Sequence, residues 1–445
     1  MSSMRNVKKV AMVSALLLVL TLSLGGGVAS KSQDTSATYE NLRLFTEVLS
    51  IVQSQYVDEV PAKDVIYNAI KGTLRGLDPH SSFLDPEMYR EMQVETSGSF
   101  GGLGIEITLR DDILTVVAPI EGTPAYRAGV QPGDRIVKIE GISTKDMQLT
   151  DAVKRMRGKP GSKIIISIVR EGWVEPKDFD IIREQIRVQS VKTQELETGI
   201  EYIRLRQFQE QTAQDLETVL DKYSKGAKIQ GLVLDLRNNP GGLLTSAVEV
   251  TEKFLDAGRL VVYTEGRVRN QNMRFQANAR RVYTDFPVVV LVNQGSASAS
   301  EIVAGALQDW GRAIVIGTQS FGKGSVQTII PLSDGSGLRL TTAKYFTPKG
   351  RSIHGKGITP DIIVEGPKTT AAVTVPAPEG APASPGAPAA PGAPAPPKTG
   401  PSVETKPSDE LKRDPQLQRA LDLLKAMRIL DRTRPAPAGS QAQVK

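Results

Sequence analysis

The chain has 445 residues, 40% hydrophobic and 5% aromatic content, and a formal net charge of +6; this length predicts several domains and this apolar content more than one packed core. Three of the positive charges, Arg5, Lys8 and Lys9, lie in a leader without acidic residues, so removing residues 1–29 leaves +3. That charge, with so few aromatics, supplies no basic stripe or stacking surface for nucleic acid, which is not expected as a partner. Cysteine is absent and only two histidines occur, His80 and His354, which excludes a cysteine nucleophile, thiolate metal sites and a multi-histidine metal site.

The chain begins as an export signal. Arg5, Lys8 and Lys9 precede the uncharged run Val10–Leu24, and Gly25–Gly27 with Val28-Ala29-Ser30 offer small residues for cleavage. Residues 1–30 therefore read as a signal peptide or, left uncut at roughly 20 apolar residues, as a membrane anchor. Either way the protein is expected to be exported, periplasmic or extracytoplasmic. Residues 38–96 form a helical module: Leu42, Phe45, Val48, Leu49 and Val52 recur at helical steps, as do Val65, Ile66, Ile70 and Leu74. Residues 97–187 change to short strands (Ile105–Leu109, Leu114–Val117, Arg135–Ile139, Lys163–Arg170) around one helix, Leu149–Arg157. From 188 to 366 strand and helix alternate, with helices predicted at Ala213–Tyr223, Leu244–Phe254 and Ala299–Trp310, which is an α/β layer pattern. Residues 367–407 are rich in Pro, Ala and Gly, a composition that cannot bury a core and predicts an extended or disordered linker. Residues 408–445 hold a last amphipathic helix, Gln416–Ile429, with Leu417, Leu421 and Leu424 on one face.

Two groups of motifs carry chemistry. In the first, Phe100-Gly101-Gly102-Leu103-Gly104-Ile105 opens the small β module. Successive backbone N–H groups of such a glycine run can form an anion-binding nest, and an adjacent strand edge can take up an extended peptide. With Pro124-Ala125-Tyr126-Arg127-Ala128-Gly129-Val130 and Pro132-Gly133-Asp134-Arg135-Ile136, the stretch resembles a PDZ domain. A glycine-rich hairpin without a ligand is the bland alternative. The resemblance implies a site for a C-terminal carboxylate at Gly101, Gly102, Leu103 and Gly104. Leu103, Ile105, Val153 and Met156 would then take up the last side chain.

The second group is more specific. In Val292-Asn293-Gln294-Gly295-Ser296-Ala297-Ser298-Ala299-Ser300-Glu301-Ile302 an apolar strand ends, small residues turn, and a helix begins. A serine there is exposed on a tight turn beside the free N–H groups and dipole of a helix N-terminus, which suit an oxyanion. Taken alone these serines are helix caps. The segment Phe321-Gly322-Lys323-Gly324-Ser325-Val326-Gln327 changes that reading. A lysine can deprotonate serine only when neutral, which requires its pKa to fall from about 10.4 towards 7–8, roughly 4 kcal/mol against the charged form. Burial without an acidic neighbour supplies that bias, and an amide at Gln327, on the same face if this is a strand, orients the amine without adding charge. Such a Ser–Lys pair needs no histidine.

These segments, with Asp235-Leu236-Arg237-Asn238-Asn239-Pro240-Gly241-Gly242-Leu243-Leu244, resemble the C-terminal processing (tail-specific) serine peptidases from about Tyr39 to Glu365. The resemblance implies an α/β (α+β) protease core of the crotonase/ClpP-like type at 188–366, with a β-rich PDZ domain inserted at 97–187 and the helical module before it. It makes Ser298 the nucleophile, Lys323 the base and Gln327 the orienter of the lysine. Ala299 and a glycine of Gly241-Gly242, with Gly241 favoured, would be the oxyanion donors. It further implies an endopeptidase without cofactor or metal that cleaves exported proteins bound by their C-terminal tails, with an adaptor or activator protein and self-association as further expectations. Three rivals remain. Gly317-Thr318-Gln319-Ser320-Phe321-Gly322-Lys323 satisfies a phosphate-loop pattern but is followed by Gly324 and a β-branched run. A non-catalytic PDZ scaffold or chaperone would need neither Ser298 nor Lys323. A Ser298–His354 pair would lack an orienting carboxylate.

Overall fold

In the computed structural model residues 32–225, 229–366 and 414–433 are described. The expected export segment at 1–30 and linker at 367–407 lie outside them. The chain divides between Phe83 and Leu84 into two compact units. The first holds helices α1 (Ser32–Gln55) and α2 (Ala62–Arg75). Pro61 precedes α2, Asp64 sits in its first turn and Arg75 in its last, each where the helix dipole favours it. On α1 the apolar residues Leu42, Phe45 and Val48 are exposed. Strand β1 (Ser82–Leu84) spans the division.

The second unit opens with α3 (Pro86–Ser97), capped by Asp85, whose carboxylate accepts the N–H groups of Glu87 and Met88. Strand β2 (Ser99–Gly102) then leads into a six-stranded antiparallel module. Its strands are β3 (Ile105–Arg110), β4 (Ile113–Pro119), β5 (Arg135–Ile139), β6 (Ile142–Ser143), β7 (Lys163–Val169) and β8 (Lys177–Ile182). They run in the order β3-β4-β5-β7-β8, with β6 beside β5, so β3 is an edge strand. Two short helices, α4 (Pro124–Arg127) and α5 (Leu149–Met156), close the module over a core that includes Leu103, Val116, Ile136, Ile166 and Met156. The chain leaves through β9 (Glu184–Arg187), antiparallel to β2, with Phe100 opposite Ile186 and Gly102 opposite Glu184.

The main sheet is β10 (Val191–Glu197), β11 (Ile200–Leu205), β12 (Gly231–Asp235), β15 (Val288–Val292), β16 (Ala313–Gly317) and β19 (Ile362–Ile363), in that order and parallel except for β10. Its central strands β12, β15 and β16 are apolar on both faces because both are covered. On one face Leu232, Leu234, Val290 and Val292 pack with α6 (Thr212–Lys225), α7 (Leu244–Glu252) and α8 (Ala299–Asp309) in the largest core. On the other, Val233, Val289, Leu291 and Ile316 meet Leu417, Ala420, Leu421 and Leu424 of α9 (Pro415–Thr433). Burying each of those leucines stabilises the fold by roughly 1.5–3 kcal/mol. A second, antiparallel sheet places β13 (Leu260–Gly266) between β14 (Arg274–Gln276) and β18 (Gly337–Phe346), with β17 (Ser325–Pro331) pairing β18. Among the described residues no helix is long and apolar enough to cross a membrane, and no cluster of ligand side chains could hold a metal.

Candidate active site

β15 ends at Val292, and the chain turns through 293–298 into α8. The three serines of the turn have different fates. Ser296 Oγ donates to Leu236 O at 2.8 Å and Ser300 Oγ to Asn239 O at 2.9 Å, and both residues are fully buried. Ser298 makes neither bond. It sits at the N-terminus of α8 with φ 56° and ψ −113°, a conformation that costs a non-glycine residue about 1–3 kcal/mol. The Ala299 N–H that follows donates no hydrogen bond among the described residues.

Glu301 holds this strained turn. Its buried carboxylate accepts the Ser298 N–H at 2.8 Å and the Lys323 N–H at 2.9 Å on Oε2, and Ser320 Oγ at 2.5 Å and the Gly322 N–H at 2.7 Å on Oε1. One oxygen thus carries the backbones of both Ser298 and Lys323. Burial pushes the Glu301 carboxyl up from its usual range, and these four donors pull it back. Donors occupy both oxygens, an arrangement that fits the ionised form.

Lys323 lies in the loop before β17 rather than in the strand, and a bulge at Val326–Gln327 breaks the alternation expected to align 323, 325 and 327. Burial lowers its pKa, the Arg339 charge lowers it further, and Glu301 acts in the opposite direction. Among the described residues it makes no ion pair. Gln327 donates Nε2 to Thr341 Oγ1 at 2.8 Å and to Ser325 Oγ at 3.2 Å. Among the described residues its Oε1 is buried without a partner, and such an acceptor is costly unless something donates to it. Tyr345 on β18 hydrogen-bonds Ser298, and burial pushes its phenol up to about 12.

The turn after β12 lies against the serine turn. Gly241 (φ 104°) and Gly242 (φ 141°) are in backbone regions that favour glycine. A Cβ on Gly241 would lie 2.8 Å from Ser298 Cβ, and one on Gly242 2.1 Å from Phe208 O. The favoured donor, Gly241, has its N–H engaged by Asn239 Oδ1 at 2.9 Å. No acceptor takes the Gly242 N–H among the described residues.

In the β module, Gly101 and Gly102 lie in the β2 ladder opposite Gln185 and Glu184. They are therefore not the open nest expected of them; a Cβ on Gly101 would come 2.0 Å from Gly158 O, so close packing explains that glycine. Leu103 and Gly104 lie between the two strands. Leu103 and Met156 belong to the core cluster, Ile105 packs against it, and Val153 on α5 is half-buried.

Comparison with known proteins follows the same two parts. Residues 199–364 match the family model for peptidase family S41, and 115–170 that for the PDZ domain. A carboxy-terminal-processing protease of Bartonella bacilliformis is 49% identical over 358 residues, which cover 80% of this chain and 81% of that protein. The chain belongs to peptidase family S41. A carboxyl-terminal-processing protease of Synechocystis is 40% identical over 323 residues, 71% of this chain and 75% of that one. The photosystem II D1 C-terminal processing protease matches at 31% identity and a TM-score of 0.42 over 72% of this chain and 92% of that structure.

The S41 core overturns the phosphate-loop reading, because Gly317 ends β16 and the strand β17, not a helix, follows Lys323. His354 has an exposed side chain, and its backbone packs where a Cβ on Gly324 would lie 2.1 Å from His354 N. Sequence reasoning gave no role to Glu301, Tyr345, Asn239 or Arg237. Of these only Glu301 carried a local signal, as the acidic residue three positions after Ser298 at a helix start.

Proposed function

We propose that this S41 peptidase is a C-terminal-processing serine endopeptidase in which Ser298 attacks the scissile carbonyl and Lys323 takes its proton. The carrying observation is that Ser296 and Ser300 hold backbone carbonyls while Ser298, at a strained helix N-terminus, holds none. Neutral Lys323, disfavoured as a cation by burial and by Arg339, accepts the Ser298 proton and returns it to the leaving amine. Water then repeats the sequence to release the acyl group. Gln327 orients the amine, since Nε2 is committed to Thr341 and Ser325 and Oε1 awaits a donor. The Ala299 N–H is one oxyanion donor, and Gly242 is assigned as the second because Asn239 holds the Gly241 N–H.

The PDZ module is the substrate reader. Its edge strand β3 suits an added peptide strand, and Leu103–Gly104 offer backbone to the terminal carboxylate. Substrates are then proteins met outside the cytoplasm, after export directed by residues 1–30. The core is proposed to be of the crotonase/ClpP-like type, and the exposed Leu42, Phe45 and Val48 of α1 favour self-association.

The test is a fluorophosphonate adduct mapped by peptide mass spectrometry. Label is expected on Ser298, lost in Lys323→Ala, and cleavage should vanish in Ser298→Ala while Ser296→Ala and Ser300→Ala retain it in part. Label on another serine, or an active Ser298→Ala, refutes the assignment.

A further inference from the structure

The C-terminal helix covers apolar surface, yet its first residues do something that covering does not require. Asp414 Oδ1 accepts the N–H groups of Gln416 and Leu417, both at 3.1 Å, and Oδ2 takes Arg237 Nη1 at 2.7 Å. Gln416 Oε1 accepts the same nitrogen at 2.9 Å, while its Nε2 donates to Val364 O at 2.7 Å. The opposite edge of the guanidinium is gripped by Asp235, through Nε–Oδ1 at 3.0 Å and Nη2–Oδ2 at 2.6 Å, and Tyr202 donates its hydroxyl to Asp235 at 2.8 Å. The Asp235 side chain is fully buried, and those of Arg237 and Asp414 are only 10% and 11% exposed. Charges this far from water are expensive to leave half-paired, and α9 supplies the missing partners.

Arg237 lies within the segment that braces the serine turn. The residues on either side of it are bonded directly to the serine turn. Leu236 O takes Ser296 Oγ, the Asn238 N–H goes to Asn293 Oδ1 at 2.9 Å, and Asn239 O takes both the Ala297 N–H at 3.0 Å and Ser300 Oγ. We propose that Asp414 and Gln416 are positioning residues for the reaction: they fix Arg237, and Arg237 fixes the 236–242 segment against the turn that presents Ser298. The C-terminal helix is on this view a working part of the peptidase. The inference rests on the reading of Ser298 as the nucleophile.

The experiment compares Asp414→Asn, Gln416→Leu and Leu424→Ala in the full-length protein. Asp414→Asn keeps a capping oxygen for α9 and removes the charge facing Arg237. Leu424 packs over Gly231, at the far end of β12 from Asp235, and serves as the control for helix docking alone. Asp414→Asn and Gln416→Leu are expected to lower kcat by roughly ten- to a hundredfold, as small misplacements do. KM should stay near that of the parent; Tm should fall, because Arg237 is left half-paired, but kcat should be low even well below the transition, and amide exchange at 238–242 should speed up. Leu424→Ala should lower Tm and leave kcat unchanged well below the transition. Combined with Arg237→Lys, Asp414→Asn should add little further loss, because both act through one network. Unchanged kcat and exchange in both clip variants, or losses that only track Tm as in Leu424→Ala, overturn the proposal. Ser298→Ala, assayed alongside, separates the two ideas: activity there refutes the nucleophile, whereas its loss beside unaffected clip variants refutes the clip.

Discussion

Replacing Glu301 by Gln perturbs the Ser298 turn without changing its volume. The carboxylate accepts two donors on each oxygen, Ser320 and Gly322 on one, Ser298 and Lys323 on the other. An amide keeps one acceptor. Its least costly orientation leaves that oxygen towards Ser298 and Lys323 and turns the NH2 towards Ser320, which strands the Gly322 N–H. An orphaned buried donor costs about 1–3 kcal/mol, and reducing the remaining charge-assisted bonds to neutral strength brings the total to about 2–5 kcal/mol. For a chain of 445 residues, which unfolds with about 2.1 cal/mol/K per residue, the Tm should fall by roughly 2–5 °C. The lost charge also reaches Lys323. Glu301 favours the ammonium form, so its removal lets the amine lose its proton more easily. The rising limb of kcat/KM against pH should therefore move to lower pH, above a reduced plateau. Calorimetry and a pH–rate profile on one peptide substrate measure both effects. A limb that stays in place or moves to higher pH, with Tm unchanged, refutes the reasoning.

Three further outcomes are expected. Arg339 disfavours the Lys323 ammonium, so Arg339→Gln should raise the lysine's pKa and shift the same limb to higher pH, the opposite direction from Glu301→Gln; a shift of the same sign in both variants would sink the electrostatic account. Gly242→Ala places a Cβ 2.1 Å from Phe208 O at φ 141°, adding backbone strain of about 1–3 kcal/mol to a steric clash, and should abolish cleavage and lower Tm; an active, stable variant would show that this backbone is not needed as it stands. A peptide ending in a free Ala or Val carboxylate should be cleaved well and its C-terminal amide poorly, and equal cleavage of the two would mean that the PDZ module does not read the terminus.

Which parts of this molecule could be read from sequence follows from where its signals lie. The strands β12, β15 and β16 are buried on both faces, so Gly231–Asp235, Val288–Val292 and Ala313–Gly317 announce themselves as apolar runs. The segments at Lys177–Ile182, Val191–Glu197 and Arg274–Gln276 alternate charged and apolar residues or are very short, and become strands only because neighbours pair with them. The Ser298 and Lys323 turns were legible because small residues between a strand and the next element mark a bend tight enough to present a side chain. Which glycine N–H is free was not legible, because a glycine-rich turn does not say which donor is already engaged, and here Asn239 takes that of Gly241. Arg237, Asp414 and Tyr345 were illegible for a different reason. Asp414 is far from Arg237 in sequence and Ser298 from Tyr345, and a buried ion pair spanning residues 237 and 414 leaves no periodicity behind.

The way the PDZ module joins the peptidase has a topological consequence. β2 and β9 run antiparallel, with Ser99 across from Arg187 and Gly102 across from Glu184. Everything from Leu103 to Arg183 is thus the loop of one long hairpin, departing and returning at neighbouring points. Closing such a loop costs little more as it lengthens, and a hairpin turn of about two residues would bridge the same strands. The module is therefore a cassette: a different module of about this span, or none, could be spliced between Gly102 and Glu184 on the same ladder. The module and the peptidase core can in this way diverge separately within one chain.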